Sequence, residues 1–285
     1  MCNADYLEIS VIIPTFNRSF TLLKTLNSIL AQTYKYWELI IIDDGSTDKT
    51  RDKIKPYISE KIRYVRTPHK GTPYAWNLGV RLSKNDYLFF TGDDVILHRN
   101  CLAILAETVR KVKRKDLGAV APRLIYYSGN LREGAKREYA HIDPYSGDVV
   151  GSFNVDGEGI SEVPITHGYT LIRKEAFLSV GGFDEESYRG NYFREETDLW
   201  LRLRKKGYKI YYQPKAKLYC QGGLTKGGQW SNVRGSLALY EYYVLRNHLV
   251  CLKKFYGKKA YFMFMPFIFR RLHLRLNQVL KKDFE

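Results

Sequence analysis

Apolar residues in the first half of the chain fall into short β-branched runs separated by stretches of helical period. EISVIIP is followed by a helical stretch from Arg18 to Gln32, WELIIID by another after Ser46, KIRYVRT by a segment from Thr72 to Ser83, and DYLFFT by a helix of about Asn100 to Lys113. This alternation predicts an α/β fold, a mostly parallel sheet with helices on its faces. LGAVAPRLIYY reads as another strand, ITHGYTLIRKEAF as a strand running into a helix, REETDLWLRLRKKG as a helix closed by Gly207, and YKIYYQP as a final short strand. The stretch from Ser128 to Gly159 is rich in Gly, Asp and Tyr, lacks a strong period and exceeds an ordinary connection, so it reads as an insertion or a substrate loop.

Beyond Pro214 the pattern changes. QGGLTKGGQW carries four glycines in ten residues and reads as a loop, after which Val233 to Tyr256 and Lys259 to Lys282 have the look of aromatic and basic helices. The expected organisation is a catalytic domain over residues 1–228 and a helical tail over 229–285. In the tail, Tyr261, Phe262, Phe264, Phe267, Ile268 and Phe269 precede Arg270, Arg271, Arg275, Lys281 and Lys282, with Pro266 expected to kink the segment. Such a join of aromatic and cationic residues suits a segment lying on anionic lipid, or one packed on the catalytic domain or a second subunit.

Charge and cysteine content narrow the setting. The chain has 46 Lys and Arg against 30 Asp and Glu, a formal charge of +16 that draws it to polyanions. Cys2, Cys101, Cys220 and Cys251 are far apart with no CxxC pair, which fits a reducing cytoplasm better than a disulfide framework. The opening MCNADYLEIS lacks the basic start and apolar run of a secretory signal, and AYFMFMPFIF is too short to span a bilayer. The sequence thus predicts a cytoplasmic protein, peripheral at the inner face of the cell membrane.

Two acidic clusters follow strands. WELIIID runs into Asp43, Asp44, Gly45, Ser46, Thr47 and Asp48, placing carboxylates where open α/β sheets bind ligands. Asp44 is suited to accept a hydrogen bond from a nucleobase N–H, whereas Ser46 and Asp48 read as helix caps. Asp93 and Asp94 end DYLFFTG in the same relation to the sheet, and adjacent carboxylates repel unless a cation neutralises them. Hard oxygen ligands without a neighbouring His or Cys suit Mg2+ or Mn2+.

With these clusters VIIPTFNR, QTY before WELIIIDDGSTD, FFTGDD, LIRKEAF with GGFDEE, and EETDLWLRLRKKGY follow one another in an order that resembles the family 2 glycosyltransferases of the GT-A fold, over about residues 8 to 225. The resemblance implies a Rossmann-like GT-A sheet and an inverting, metal-dependent transferase that moves a sugar from a UDP-, GDP- or dTDP-sugar to an acceptor hydroxyl in polysaccharide, glycoprotein-glycan or lipid-linked oligosaccharide synthesis. It assigns Pro14, Thr15 and Phe16 to the loop lining base and ribose, and Asp44 to the base. Arg18, Asn77, Thr91, Gly92, Asp93 and Asp94 fall on the donor side, with Asp93 and Asp94 as metal ligands. Glu196, flanked by Glu195, holds the place of the catalytic base, one methylene longer than the usual Asp, while Asp198 and Arg202 read as a surface ion pair at i and i+4. His167, Gly168 and Trp230 are candidate acceptor contacts. Three departures stand out: Thr91 where the family has the first acid of its DxD, Trp76 where Arg often precedes Asn77, and Cys220 where many relatives place His.

Two other classes compete. The charge and the 23 tyrosines would suit a nucleic-acid-binding protein, which leaves the paired acids at strand ends without a task. A sugar nucleotidyltransferase would need a glycine-rich, Lys-bearing loop after the first strand, and none follows VIIPTFNR. The expected partners are therefore a nucleotide-sugar donor, a sugar or lipid-linked acceptor and an anionic membrane surface, with no nucleic acid.

Overall fold

The computed structural model describes residues 6–128, 131–132, 134–220 and 236–282. The strands β1 (Ile9–Thr15), β2 (Trp37–Asp43), β3 (Ile62–Arg66) and β4 (Tyr87–Phe90) form the parallel half of the main sheet in the order β3-β2-β1-β4. Leu39, Ile40, Ile41 and Ile42 are all fully buried, because a parallel sheet covered on both faces tolerates no polar side. Side chains alternate between two cores. Ile9, Val11 and Ile13 pack with Leu22, Leu26 and Ile29 of α1 (Ser19–Leu30) and with Leu102 and Leu105 of α4 (Cys101–Val112). Ile12 faces the other way, towards Trp76 and Val80 of α3 (Thr72–Leu82). The helical stretch after Ser46 is the short α2 (Thr50–Ile54).

Beyond β4 the sheet changes direction. β6 (Leu117–Ser128) and β11 (Leu171–Arg173) follow, with β11 antiparallel to both β4 and β6, and β12 (Lys209–Cys220) parallel to β6. β12 corrects the expected short strand YKIYYQP. It continues through Pro214 by a shift of register between Gln213 and Lys217, which removes the proline from the hydrogen-bonded ladder. Ala216, Leu218 and Cys220 then point into the core, and the short β5 (Val95–Leu97) pairs with this extension. The helices α5 (Lys174–Ser179) and α6 (Glu195–Lys205) cover the second core through Phe177, Leu199, Trp200 and Leu203.

Within the Gly-, Asp- and Tyr-rich stretch, β7 (Leu131–Arg132) pairs back on β6, while β8 (His141–Ile142) and β9 (Val149–Val150) form a small hairpin ahead of β10 (Ser161–Val163) at the sheet edge. The turn at its tip is closed by Asp143, whose carboxylate accepts from the N–H groups of Tyr145 and Ser146.

The tail consists of α7 (Leu237–Tyr256) and α8 (Ala260–Lys282), joined by a tight turn at Gly257–Lys259. α8 runs on as one helix through Pro266. Glu241 near the start of α7 accepts from Arg271 and Arg275 towards the end of α8, so the helices are antiparallel. The inner side of this hairpin packs on the α/β body. Asn247 of α7 is fully buried and donates to the Arg189 carbonyl at 2.8 Å and to Asn191 Oδ1 at 3.3 Å, while its own oxygen accepts from Arg189 N–H and Arg246. Lys254 reaches Asp198 at 2.6 Å and Asp184 at 3.0 Å. Replacing Asn247 by Ala leaves buried backbone groups of the 189–191 loop without partners, a loss of about 2 kcal/mol that chemical denaturation should register as a lower midpoint with an unchanged slope.

Candidate functional site

The carboxyl ends of β1, β2 and β4 meet in the middle of the parallel half, where the order of strands leaves room for a ligand. Asp44 is buried just past β2. Its Oδ1 accepts from Lys70 N–H at 2.7 Å and its Oδ2 from Gly71 N–H at 2.8 Å, with the His69 ring 3.0 Å away. Gly71 has φ +96°, so only a glycine turns the chain there without strain. Phe16 stacks on His69 with ring centres 4.2 Å apart, above the half-buried Pro14 and the buried Thr15. Asn17, in the left-handed region, uses its side-chain oxygen to accept from Thr47 N–H at 2.7 Å, which zips the loop after β1 to the loop after β2. Ser46 contributes by accepting from Asn17 N–H, and Asp48 caps the start of α2 through Thr50.

Asp93 and Asp94 lie 3.0 and 2.9 Å from one nitrogen of Arg18, and Thr15 donates to the other oxygen of Asp93 at 2.7 Å. Burial pushes the Asp93 carboxyl up to about 6, Arg18 opposes that rise, and the neighbouring Asp94 charge adds to it. The pair is a cation-seeking feature that the guanidinium satisfies in part. Its hard oxygen donors fit Mg2+ or Mn2+ of the kind held by one or two carboxylates together with substrate phosphates. A cage made of protein alone is absent, since no group of three or more acidic, His or Cys side chains surrounds a common point among the described residues. Thr91 is fully buried and its hydroxyl has no partner among the described residues, and Gly92 leaves space filled by Tyr169, whose hydroxyl would stand 3.0 Å from a Cβ there.

The third cluster opens α6. Arg194 takes the N-cap with φ +81° and Tyr192 also lies in the left-handed region at +53°, so the approach to the helix is strained at two non-glycine positions. Glu195 is buried, and its carboxyl is pushed far above the usual range by burial and by the adjacent Glu196 charge. Glu196 lies against Gly168, where a Cβ would come within 2.1 Å of Oε1. Burial raises the Glu196 carboxyl to about 7, and the Gly168 N–H opposes the rise by donating to the charged form. Tyr169 feels both the Asp94 and the Glu196 charge, and Tyr192 feels both Asp44 and Glu195. The Tyr192 hydroxyl occupies the space beside Gly71, 1.8 Å from where a Cβ would be. These two tyrosines therefore link the three acidic clusters into one neighbourhood.

Some expected site residues have other tasks. Asn77 spends its amide on the loop of α5, donating to the Phe183 carbonyl at 2.8 Å and Glu185 at 2.7 Å and accepting from Phe183 N–H at 3.0 Å. Trp76 before it stacks on Phe183 in the core. His167 is buried with Nε2 at 2.8 Å from the Pro122 carbonyl and Nδ1 accepting from Tyr169 N–H, so neither nitrogen is left for an acceptor, and burial lowers its basicity to about 4. Asp198 and Arg202 pair as their spacing predicts, but Asp198 is fully buried rather than on a surface, because Lys254 of the tail closes over it. Cys220 is buried in the first core. Trp230 and the 228/229 boundary lie outside the described residues. Tyr169, Tyr192 and Arg194 were missed because tyrosines are abundant in this chain and nothing in a linear pattern marks which ones bridge distant loops.

Comparison with known proteins accords with this geometry. Residues 10–181 match the family model for glycosyl transferase family 2. Over 237 residues the chain is 29% identical to poly-beta-1,6-N-acetyl-D-glucosamine synthase of Staphylococcus aureus, covering 80% of this chain and 53% of that protein. It is 26% identical over 206 residues to an uncharacterized glycosyltransferase of Rickettsia conorii, covering 70% of this chain and 32% of the relative. The chain thus spans about half, or less, of the length of these curated relatives. Among solved structures, GalNAc-T7 with UDP, GalNAc and Mn2+ superposes with a TM-score of 0.70 at 18% identity, over 90% of this chain and 49% of that one, a likeness of fold.

The Glu196 shift makes stability depend on pH. Between the ordinary glutamate value and about 7 the folded chain keeps a proton that the unfolded chain releases, so its contribution falls as pH rises through that window. Wild type should lose roughly 3 kcal/mol from this group between pH 4.5 and 7.5, and Glu196→Gln should make that part of the urea-denaturation profile shallower, with Glu195 and Asp93 keeping their own share of the slope.

Proposed function

The chain belongs to glycosyltransferase family 2, and from that premise we propose that it moves a sugar from a nucleotide-diphosphate donor to an acceptor hydroxyl, with inversion at the anomeric carbon. The observation that carries this reading is the meeting of Asp44, the Asp93–Asp94 pair and Glu196, from three separate elements, around Tyr169 and Tyr192. The donor is a UDP-, GDP- or dTDP-sugar and the acceptor a glycan or lipid-linked sugar, in keeping with a relative named for polymer synthesis.

In this reading the stacked Phe16 and His69 rings line the base site, and Asp44, held by the Lys70 and Gly71 N–H groups, accepts from the base in place of its His69 or Thr67 side-chain partner. Asp93 and Asp94 hold Mg2+ or Mn2+, which when bound neutralises charge on the departing diphosphate. Arg18 exchanges its carboxylate partners for phosphate oxygens, a match of planar donors to an anion. Glu196 takes the proton from the acceptor hydroxyl as that oxygen forms its bond to the anomeric carbon and the bond to the diphosphate breaks. A carboxyl near 7 is well matched to a base at neutral pH, and Glu195, held protonated by burial beside it, does not compete for the proton. The setting is the cytoplasmic side of a membrane, supported by the +16 charge and by buried cysteines at Cys101, Cys220 and Cys251 that form no disulfide.

A nucleoside diphosphate should raise the melting temperature only with Mg2+ or Mn2+ present, and Asp93→Ala should abolish the effect; equal stabilisation without metal removes the metal role. Glu196→Ala should retain nucleotide binding and lose transfer by about 10²–10⁴-fold in kcat. Gly168→Ala, which drives a methyl group into Glu196, should lose transfer to a similar extent with binding intact. Normal turnover in Glu196→Ala would eliminate it as the base.

A further inference from the structure

Seen along its axis, α8 has two faces of opposite use. Ala260, Met263 and Phe267 are buried against α7 and the α/β body, with Phe267 stacked on His248 at 3.7 Å between ring centres. Tyr261, Phe262, Met265, Phe269, Leu272 and Leu276 are each at least 49% exposed, and Phe262 reaches 82%. At 3.6 residues per turn these six fall within an arc of roughly 100° on the side opposite the buried face. An uncharged apolar stripe along four turns, on the order of several hundred Å², exceeds the scattered exposure normal for a soluble surface.

The rotation of α8 is fixed by polar contacts. Arg271 and Arg275 pair with Glu241, and Arg270 reaches Asp148 at the tip of the β8–β9 hairpin at 3.1 Å. Asp148 in turn pairs with Arg194, whose guanidinium lies between Phe193 and Phe267. The stripe therefore cannot roll inward without breaking this network of ion pairs. The described residues leave the stripe uncovered, and charge selects its occupant. Residues 229–285 contain eleven Lys and Arg against three Asp and Glu, and Lys258, Lys259 and Arg270 are exposed beside the stripe. A second copy would bring the same excess of positive charge against it, whereas an anionic bilayer supplies apolar depth and opposite charge together.

We propose that the outward face of α8, centred on Phe262, Met265 and Phe269, docks on an anionic lipid surface with the helix lying in the headgroup plane. This deepens the proposed transfer reaction and rests on it in one respect: Arg194, whose guanidinium lies over Phe267 on the inner side of the same helix, directly precedes Glu195 and Glu196, so the helix start that carries the proposed base is tied to the lipid-facing helix and the favoured acceptor is lipid-anchored.

The test is flotation of the full chain with vesicles of phosphatidylcholine alone or mixed with phosphatidylglycerol. Wild type should float with the mixed vesicles, bind phosphatidylcholine at least tenfold more weakly, and be released by high salt. The double variant Phe262→Ser with Phe269→Ser should lose at least tenfold in vesicle affinity with unchanged circular dichroism, melting temperature and nucleotide binding, because both side chains are exposed. Wild type that does not float with phosphatidylglycerol, or a double variant that floats as well as wild type, overturns the proposal. A concentration-dependent dimer abolished by the double variant, without flotation, assigns the stripe to a second copy instead. Nucleotide binding is read separately, so failure of the lipid site is distinguishable from failure of the transferase reading.

Discussion

Acidic side chains are removed from water in a small region of this protein, and the cost of keeping them there shapes its surroundings. Asp93 and Asp94 share Arg18 as a cation, and Asp93 also takes the Thr15 hydroxyl. Glu195 and Glu196 have no such cation among the described residues, and their carboxyls respond by holding protons to unusually high pH. One pair is thus balanced by a guanidinium, and the other keeps its protons to higher pH. That division of labour follows from placement alone, since all four are ordinary carboxylates.

Holding the second pair in place requires parts of the chain remote in sequence. The 189–194 loop is gripped by Asn247 from α7, by His248 and Asp148 through Arg194, and by the Tyr243 ring seated on Gly190. Tyr192 then projects from this loop to Gly71 beside Asp44. The β8–β9 hairpin and the tail therefore act as a bracket for the start of α6, and two strained backbone positions are retained there because the surroundings leave no alternative. The same bracket fixes α8 with its apolar stripe outward, so the placement of Glu195 and Glu196 and the orientation of the tail have one structural cause.

Much of this was legible in the chain. Buried strands announce themselves by runs such as VIIP and LIII, and the helices between them by period, so the α/β class and the ends of β1, β2 and β4 followed directly. The extension of β12 did not, because Pro214 reads as a stop and only the register shift against β6 shows how the ladder accommodates it. The partners of Asn77 and His167 were hidden for a related reason. A polar residue near a motif looks available until its partners are known, and the Phe183 and Pro122 backbone groups that occupy them lie 106 and 45 residues away.

The sequence by itself determined the fold class, the family and the identity of the acidic groups, since hydrophobic period and short motifs are local properties of the chain. Only the tertiary structure decided which acids meet, which are neutralised by Arg18, that Asp198 is buried under Lys254, and which side of α8 remains uncovered. Those outcomes depend on desolvation and on contacts between residues distant along the chain, and both exist only once the chain has closed on itself.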